Sequence, residues 1–322
     1  MLISLIVPCY NEEQSLPFLY DALSEVRKSQ AEAGKTFEFI FVNDGSTDKT
    51  KDVIKKFASE DKDVRYIFFS RNFGKEAAMY AGLQASRGEY VAILDADMQD
   101  PPSLLPEMIK ALDEDRCDII AARRVTRDGE PKIRSFFARM FYKIINRMIE
   151  VEIADGARDF RLMKRIVVDA ILSVSERQRF SKGIFAWVGF RTEWIAHVNV
   201  ERVAGETKWN FFKLFRYAID GIVAFTTAPL RLATIAGFSS ATAAFIYMIY
   251  YFIRAVIFRI YDRVPGYPSL LCFILFIGGL ILMALGVLGE YIGRTYIEAK
   301  GRPIYIKAED ETSVRNDSLQ DT

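Results

Sequence analysis

The chain has 322 residues, of which 51% are hydrophobic and 26% are charged, so it can bury a large core and is not disordered as a whole. Its 43 Lys and Arg residues nearly balance 42 Asp and Glu residues, and the net charge of +1 gives no reason to expect a nucleic-acid partner. Three distant cysteines, Cys9, Cys117 and Cys272, cannot form an even disulfide framework. The length favours about two domains, and the cysteine usage favours a reducing, cytoplasmic setting.

Residues 1–165 alternate short apolar runs with amphipathic segments. The apolar runs are predicted to be strands, and the segments between them have helical periodicity. The predicted strands are residues 2–7, 37–42, 64–69, 90–94 and 118–122. The predicted helices are residues 16–33, 48–59, 75–85 and 104–113. This alternation predicts an α/β domain with a mainly parallel sheet, whose ligand site lies beyond the carboxyl ends of the strands.

Polar residues follow the first, second and fourth predicted strands, and parallel strands bring such ends to one edge of a sheet. The sequence contains neither GxGxxG after the first strand nor GxxxxGK[ST], so backbone amides are not the predicted phosphate clamp. Asp95 and Asp97 instead offer the oxygen ligands that Mg²⁺ or Mn²⁺ prefers, and such an ion can bind a diphosphate. A turn or a helix N-cap is the alternative, but the apolar run before the pair favours the metal site.

The next region has a mixed pattern. Residues 166–208 predict a helix, a basic cluster and a strand over residues 192–201, while His197 fits no metal-binding pattern and is interpreted as structural. Residues 209–225 mix aromatic and aliphatic side chains with three charged residues, which is typical of an interfacial amphipathic helix. A core helix is the alternative for this segment.

Two charge-free stretches, residues 232–253 and 264–289, are each long enough to cross a bilayer. Their outer flanks carry more basic residues than the connection between them, which predicts both flanks and the bulk of the chain in the cytoplasm. The acidic residues 308–322 are predicted to be a solvated tail. The predicted organisation is a cytoplasmic domain (1–208), an interfacial helix (209–231), two spans with a short outer turn (232–292) and a C-terminal cytoplasmic segment (293–322).

Six motifs resemble those of one known family. They are VPCYNE (7–12), VNDGSTD (42–48), RNFGKEAA (71–78), DADMQDPP (95–102), DFRLM (159–163) and RFSKG (179–183). Together with the paired C-terminal stretches, they resemble the inverting glycosyltransferases of family 2. Within that family the chain is similar to polyisoprenyl-phosphate glycosyltransferases of the bactoprenol glucosyltransferase type, and more distantly to dolichol-phosphate mannose synthase. The resemblance covers nearly the whole chain and implies a GT-A fold, a location in the cytoplasmic membrane and a homo-oligomer, commonly a tetramer.

The resemblance also implies roles for residues of the donor site. Asp44 would accept a hydrogen bond from the uracil N3 hydrogen, which is compatible with a second role in an Asx-turn or helix N-cap. Asp95 and Asp97 would hold Mg²⁺ or Mn²⁺ on the diphosphate of a UDP-sugar. The other residues implied to border the nucleotide-sugar are Pro8, Tyr10, Glu12, Ala96 and Gln99.

The implied acceptor is a polyprenyl phosphate, whose second pKa of about 6 leaves it anionic and able to attack without a general base. Asp159 is the residue that the family places near the acceptor and sugar, often as a base. We interpret it as positioning or tuning charge, with base catalysis and a simple ion pair to Arg158 or Arg161 as alternatives. An anionic acceptor needs cations. The candidates are Arg123, Arg134, Arg179, Lys182 and Arg202.

The implied function is inverting transfer of a hexose, with glucose preferred, from a UDP-sugar to undecaprenyl phosphate on the cytoplasmic leaflet. The product would later serve to modify a cell-envelope polysaccharide. One alternative is the same reaction with a mannose, amino-arabinose or GalNAc donor. Another is a noncatalytic membrane scaffold, which would not need Asp95, Asp97 and Asp159. A processive polysaccharide synthase is disfavoured because the sequence lacks QxxRW.

Overall fold

The structure is a computed structural model that describes residues 1–124, 157–174, 176–197, 223, 226–256 and 267–310. Contacts divide the chain into two units, Met1–Ala218 with Arg302–Thr322 (the sheet unit) and Ile219–Gly301 (the hairpin unit). Most of the predicted interfacial helix lies outside the described residues. The same holds for Arg134, Arg202 and residues 311–322. Of the outer turn predicted around residues 265–268, the first two residues are also outside the described part, and the last two begin a helix.

Eight strands form one sheet in the sheet unit, in the order β7-β5-β6-β4-β1-β2-β3-β8. They are β1 (Leu2–Cys9), β2 (Thr36–Asn43), β3 (Val64–Phe69), β4 (Tyr90–Ile93), β5 (Ile119–Arg124), β6 (Ala157–Lys164), β7 (Thr192–His197) and β8 (Lys307–Asp310). The pairs β1–β2, β1–β4, β2–β3 and β5–β7 are parallel, and β4–β6, β5–β6 and β3–β8 are antiparallel. The predicted mainly parallel sheet is confirmed, and all five strands predicted before residue 125 are present.

Helices cover the sheet and bury its apolar runs. They are α1 (Leu16–Ala31), α2 (Thr50–Glu60), α3 (Lys75–Ala85), α4 (Leu105–Asp113), α5 (Arg165–Ser173) and α6 (Ser181–Trp187). In α1, Leu16, Leu19 and Leu23 recur at helical spacing and are fully buried. Strand β1 is central, and Leu5 and Ile6 point to opposite faces yet are both fully buried. This explains why β1 reads as a continuous apolar run rather than an alternating one.

The loop after β2 passes very close to the loop after β3, and Gly45 makes this approach possible. Gly45 has a φ of 65°, and a Cβ there would lie 2.6 Å from the backbone nitrogen of Asn72. Only glycine satisfies both the positive φ and the missing space. The VNDGSTD and RNFGKEAA motifs are thus brought together by backbone geometry.

The chain returns to the sheet after the hairpin, as strand β8, which pairs with β3. The sequence predicted a solvated tail from residue 308 and a domain ending at residue 208, and both predictions miss this return. Glu309 makes ion pairs with Lys51 and Lys55 of α2, at 2.8 and 2.6 Å. These charges, together with main-chain pairing to β3, hold a short polar strand that has no apolar pattern of its own.

Tyr305 anchors the returning segment, so we expect its removal to destabilise the sheet unit. Its ring stacks on Phe69 with centroids 4.7 Å apart, and its hydroxyl donates to Gln84 Oε1 at 2.9 Å. Tyr305→Ala is expected to cost about 1–3 kcal/mol of stability, through lost burial and ring stacking. Thermal unfolding of the full chain in detergent measures this. Tyr305→Phe, which keeps the ring, is the control and should lose less than about 1 kcal/mol; equal losses in both variants would contradict the stacking argument.

The hairpin unit contains α7 (Ala228–Val256) and α8 (Tyr267–Ala299). The segments Ala228–Tyr247 and Phe276–Ala299 are long and apolar enough to cross a membrane, with mean hydropathies of 1.2 and 1.8. Neither segment is buried inside the structure, so a soluble core does not account for their apolar side chains. The two apolar helices predicted after the α/β domain are therefore present.

Candidate active site

The carboxyl ends of β1, β2 and β4 meet at one edge of the sheet, as the sequence predicted, and hydrogen bonds join the first two. The backbone nitrogen of Asn11 donates to Ser46 Oγ at 2.9 Å, and Thr47 N donates to Asn11 Oδ1 at 2.9 Å. Glu12 N donates to Thr50 Oγ1 at 2.8 Å. This edge therefore has a fixed backbone on its β1–β2 side.

Asp44 lies at this edge and holds the loop that follows β3. Its Oδ1 accepts from Phe73 N at 2.6 Å and its Oδ2 accepts from Gly74 N at 2.9 Å. Asp44 is only 3% exposed, and burial raises its pKa despite these hydrogen bonds. Each carboxylate oxygen has a second lone pair, so a further hydrogen bond from a ligand is compatible with these contacts.

The other residues predicted to border a donor lie on the same loops. Pro8 is half-buried one residue before the end of β1, and Tyr10 is 36% exposed. Glu12 accepts from Ser15 Oγ at 2.7 Å. Ala96 is buried between Asp95 and Asp97, so its side chain supports the strand end.

Asp95 and Asp159 are brought together by Lys75, the first residue of α3. Lys75 Nζ lies 2.5 Å from Asp95 Oδ1 and 2.5 Å from Asp159 Oδ2. Asp95 follows β4, while Asp159 lies in the neighbouring antiparallel strand β6. Burial lowers the pKa of Lys75, but the charges of Asp159 and Asp95 outweigh it and hold the pKa above its ordinary value. The ammonium is thus firmly charged.

Asp159 is a strong acid in this setting. Burial alone raises its pKa, yet the charges of Lys75 and Lys182 outweigh burial and hold the pKa of Asp159 well below its ordinary value. A general base works best when its pKa lies near the working pH. The electrostatics therefore favour the predicted positioning role of Asp159 over base catalysis.

A partly buried network supports the loop that carries Asp97. Asp97 Oδ1 accepts from Gln99 N at 3.2 Å, and Gln99 Oε1 accepts from Arg158 Nη2 at 3.2 Å. Met98 between them has a φ of 59°, an unfavourable region for a non-glycine residue that recurs at functional loops. The structure thus links the predicted metal-binding loop to β6 one residue before Asp159.

Asp100 ends the same loop in a buried site. It is 3% exposed, and its Oδ1 lies 3.2 Å from Arg158 Nε and 2.9 Å from His197 Nε2. Burial raises the pKa of Asp100, and the charge of Arg158 opposes that rise. His197 is itself buried, which agrees with the structural role predicted for it. These contacts fix the far end of the loop from β6 and β7.

The charges of Arg161, which is buried, and of Glu76, which is partly buried, both interact with that of Asp159. The Arg161 guanidinium lies 3.6 Å from the centre of the Phe185 ring, and burial lowers its pKa to about 10. Glu76 Oε2 accepts hydrogen bonds from the backbone nitrogen of Ser181 at 3.0 Å and from Ser181 Oγ. Burial raises the pKa of Glu76 to about 7. Glu76 thus joins α3 to α6 and titrates near neutral pH.

We expect Glu76 to make stability depend on pH. Its pKa is raised in the folded state, so its protonated form stabilises the fold at low pH and that contribution is lost as pH rises from about 4.5 to about 7. Glu76→Gln keeps both acceptor contacts without the charge and should remove this dependence. Above pH 7, the variant is expected to be more stable than the wild type by about 1–3 kcal/mol of unfolding free energy. Melting temperatures of both proteins from pH 5 to pH 8 test this; a constant difference would contradict it.

The predicted acceptor cations occupy different places. Lys182 lies near enough to Asp159 to lower its pKa, and Arg123 is exposed at the end of β5. Arg179 is 9% exposed; its Nη1 donates to Val174 O at 2.7 Å and its Nη2 to Ile171 O at 3.3 Å, so these hydrogen bonds hold the end of α5. Its assignment to the acceptor phosphate stays a prediction. Arg134 and Arg202 lie outside the described residues.

Asp95 and Asp97 fit a hard divalent ion. Both carboxylates are partly exposed at the strand end, and the Lys75 ammonium against Asp95 shows that the position attracts a cation. Within the described part of the chain, no group of three or more His, Cys, Asp or Glu residues is arranged to hold a metal. Mg²⁺ usually binds through one or two carboxylates and is completed by substrate phosphates and water.

Sequence reasoning placed Asp100 among the polar residues after the fourth predicted strand without giving it a role. It missed two contributors to the site, Lys75 and Glu76, which lie within the motif RNFGKEAA. Their partners are distant in sequence, so no local pattern reveals them. The one available signal was a Lys-Glu pair that opens a helix directly after a strand-end loop.

Comparison with known proteins gives two family matches. Residues 4–172 match the model described as glycosyl transferase family 2, and residues 228–295 match the model described as GtrB C-terminal hairpin. The provisionally named glycosyltransferase CsbB of Bacillus subtilis is 43% identical over 100% of this chain and 95% of its own length. The prophage bactoprenol glucosyl transferase homolog of Escherichia coli is 42% identical, covering 95% and 98%. The bactoprenol glucosyl transferase of Shigella phage SfV has the same identity and coverage.

Proposed function

The chain belongs to glycosyl transferase family 2, and we propose that it transfers a hexose, with glucose preferred, from a UDP-sugar to a polyprenyl phosphate at the cytoplasmic face of a membrane. Family membership makes it a glycosyltransferase with the GT-A fold. The observation that carries the proposal is that one chain joins the carboxylate cluster at the sheet edge to two apolar helices. Relatives that match 95% of this chain bear the name bactoprenol glucosyl transferase.

The donor half of the proposal uses the β1, β2 and β4 ends. Asp44 accepts from the uracil N3 hydrogen, and Pro8, Tyr10 and Glu12 line the nucleotide. Asp95 and Asp97 hold Mg²⁺ or Mn²⁺, with Gln99 beside them. When bound there, the ion offsets the negative charge that grows on the departing diphosphate. The backbone of these loops is already fixed by its own hydrogen bonds, which limits the ordering needed when a donor binds.

Nucleophilic attack by the proposed acceptor phosphate needs no general base. A phosphate monoester with a second pKa of about 6 is largely a dianion at neutral pH, so an oxygen can attack the anomeric carbon without losing a proton. Asp159, held charged by Lys75, then orients the cations and the sugar. Among the acceptor candidates, Lys182 carries a charge that lowers the pKa of Asp159. Arg123, Arg134, Arg179 and Arg202 complete the proposed phosphate-binding set. Attack opposite the leaving group inverts the anomeric centre and gives a β-linked product from an α-linked donor.

Chain connectivity supports the proposed membrane arrangement. The hairpin leaves the sheet unit after residue 218 and returns to it before Arg302, and β8 pairs with β3. This return supports placing both ends of the hairpin on the same side of the membrane. Basic residues flank these ends, which favours the cytoplasmic side. An assembly of four copies, in line with the family resemblance, is part of the proposal.

Transfer to lipid tests the proposal directly. The purified full chain in detergent is given undecaprenyl phosphate, Mg²⁺ or Mn²⁺ and one labelled UDP- or GDP-sugar at a time. Label is expected in the organic phase with UDP-glucose and to be lost with EDTA. Undecaprenol, which lacks the phosphate nucleophile, is the matched acceptor control and should take no label. Transfer from another donor replaces the sugar, whereas no label from any donor, with folded protein, contradicts the proposed function.

A further inference from the structure

Lys75 contacts Asp95, the carboxylate that the proposed reaction needs to hold a divalent ion. Its Nζ lies 2.5 Å from both Asp95 Oδ1 and Asp159 Oδ2, so one ammonium bridges the metal-binding and acceptor-side carboxylates. Under the proposed function, on which this inference rests, a divalent ion binds Asp95. A dication and an ammonium in contact with the same carboxylate oxygen repel each other strongly. Lys75 and the ion therefore compete for Asp95.

The proximity of Asp95 and Asp159 explains why a lysine ammonium lies between them. Asp95 and Asp159 converge from β4 and β6, and two carboxylates sharing a site raise each other's energy unless a positive charge separates them. Lys75 supplies that charge from the start of α3. Without it, Asp95 and Asp159 would lose the ammonium that contacts both of them whenever no donor is bound.

The side chain is free to leave while its backbone stays fixed. Lys75 is 42% exposed and has a long, flexible stem. The residues just before it, Phe73 and Gly74, are held by the two oxygens of Asp44. Movement is therefore confined to the lysine side chain, which can stay with Asp159 after giving up Asp95.

We propose that Lys75 is a place-holding counter-ion, which bridges Asp95 and Asp159 until the divalent ion arrives and then pairs with Asp159 alone. Lys75 is a positioning residue in this scheme, since it acts through the two carboxylates. The competition makes the free ion bind weakly in the absence of donor. Removing the ammonium should therefore strengthen Mn²⁺ binding to the donor-free protein.

Mn²⁺ binding to the full chain in detergent, measured by the electron paramagnetic resonance of free Mn²⁺ without any nucleotide-sugar, tests this. Lys75→Met keeps the length of the side chain but not its charge, and is expected to bind Mn²⁺ about tenfold more tightly than the wild type. Lys75→Arg keeps a cation and should bind like the wild type. Lys62→Met is the matched control, because Lys62 is an exposed lysine elsewhere on the sheet unit.

Unchanged or weaker Mn²⁺ binding by Lys75→Met, with an unaltered melting temperature, overturns the place-holding role. Failure of both the wild type and Lys75→Met to bind Mn²⁺ overturns it as well. Because the measurement involves no sugar transfer, either result leaves the proposed function standing if label still reaches the lipid. Conversely, tighter binding by Lys75→Met supports the inference even if the donor or acceptor proves to be different.

Discussion

Replacing Asp97 with Asn is expected to reduce sugar transfer by about 100-fold or more while leaving the fold intact. The amide is close in size to the carboxylate, and its Oδ1 can still accept the hydrogen bond that Gln99 N now donates to Asp97. What disappears is the negative charge that would hold a divalent ion on the diphosphate. Several kcal/mol of transition-state stabilisation depend on that ion, and each 1.4 kcal/mol or so corresponds to a factor of about ten in rate.

The measurement is the initial rate of label transfer to lipid at saturating Mn²⁺, with Tm as the test of folding. Asp21→Asn makes the same chemical change at an exposed position of α1 and serves as the matched control. It should retain wild-type activity. An Asp97→Asn protein with undiminished transfer would show that this carboxylate holds no catalytic ion.

The strands that the sequence predicted and those it missed differ in one physical respect. Strands β1 to β5 contain buried apolar runs and β7 lies in a stretch with an alternating pattern, so their own side chains reveal them. Strand β6 carries Arg158, Asp159 and Arg161, because part of it faces the site, and these charges hide the strand pattern. Strand β8 is polar and exists only through pairing with β3 and the ion pairs of Glu309. A strand of that kind is specified by its partners rather than by its own sequence.

The residues of the site also fall into those that the sequence pattern could predict and those that it could not. Asp95, Asp97 and Asp44 follow apolar strands, so their meeting at one edge could be predicted from topology. The contacts of Lys75 could not, because Asp159 is 84 residues away in sequence and neither partner leaves a periodicity near residue 75. Arg179 is the converse case, because the sequence suggested a role for it but could not show its contacts. Its motif suggested an acceptor ligand, while its burial against the carbonyls at the end of α5 appears only in three dimensions.

Asp159→Asn is expected to slow transfer by about 100-fold without removing the acid limb of the pH–rate profile. The charges of Lys75 and Lys182 hold the pKa of Asp159 well below its ordinary value, so Asp159 stays ionised throughout the range in which the enzyme can be assayed. Its loss leaves Lys75, Lys182 and Arg161 without their shared counter-charge, which misplaces the cations around the reacting groups. The rate falls for that reason and not through the loss of a proton acceptor.

The profile of kcat/KM between about pH 5 and pH 8 separates the two roles of Asp159. If the acceptor phosphate is the titrating group, activity falls below its second pKa of about 6 in the wild type and in Asp159→Asn alike. If Asp159 were the base, the wild-type limb would report its titration and would be absent from the variant. An acceptor phosphonate, whose second pKa is higher, adds a further check, because it should move the limb upward in both proteins. A limb that ignores the acceptor and disappears with Asp159 would restore base catalysis.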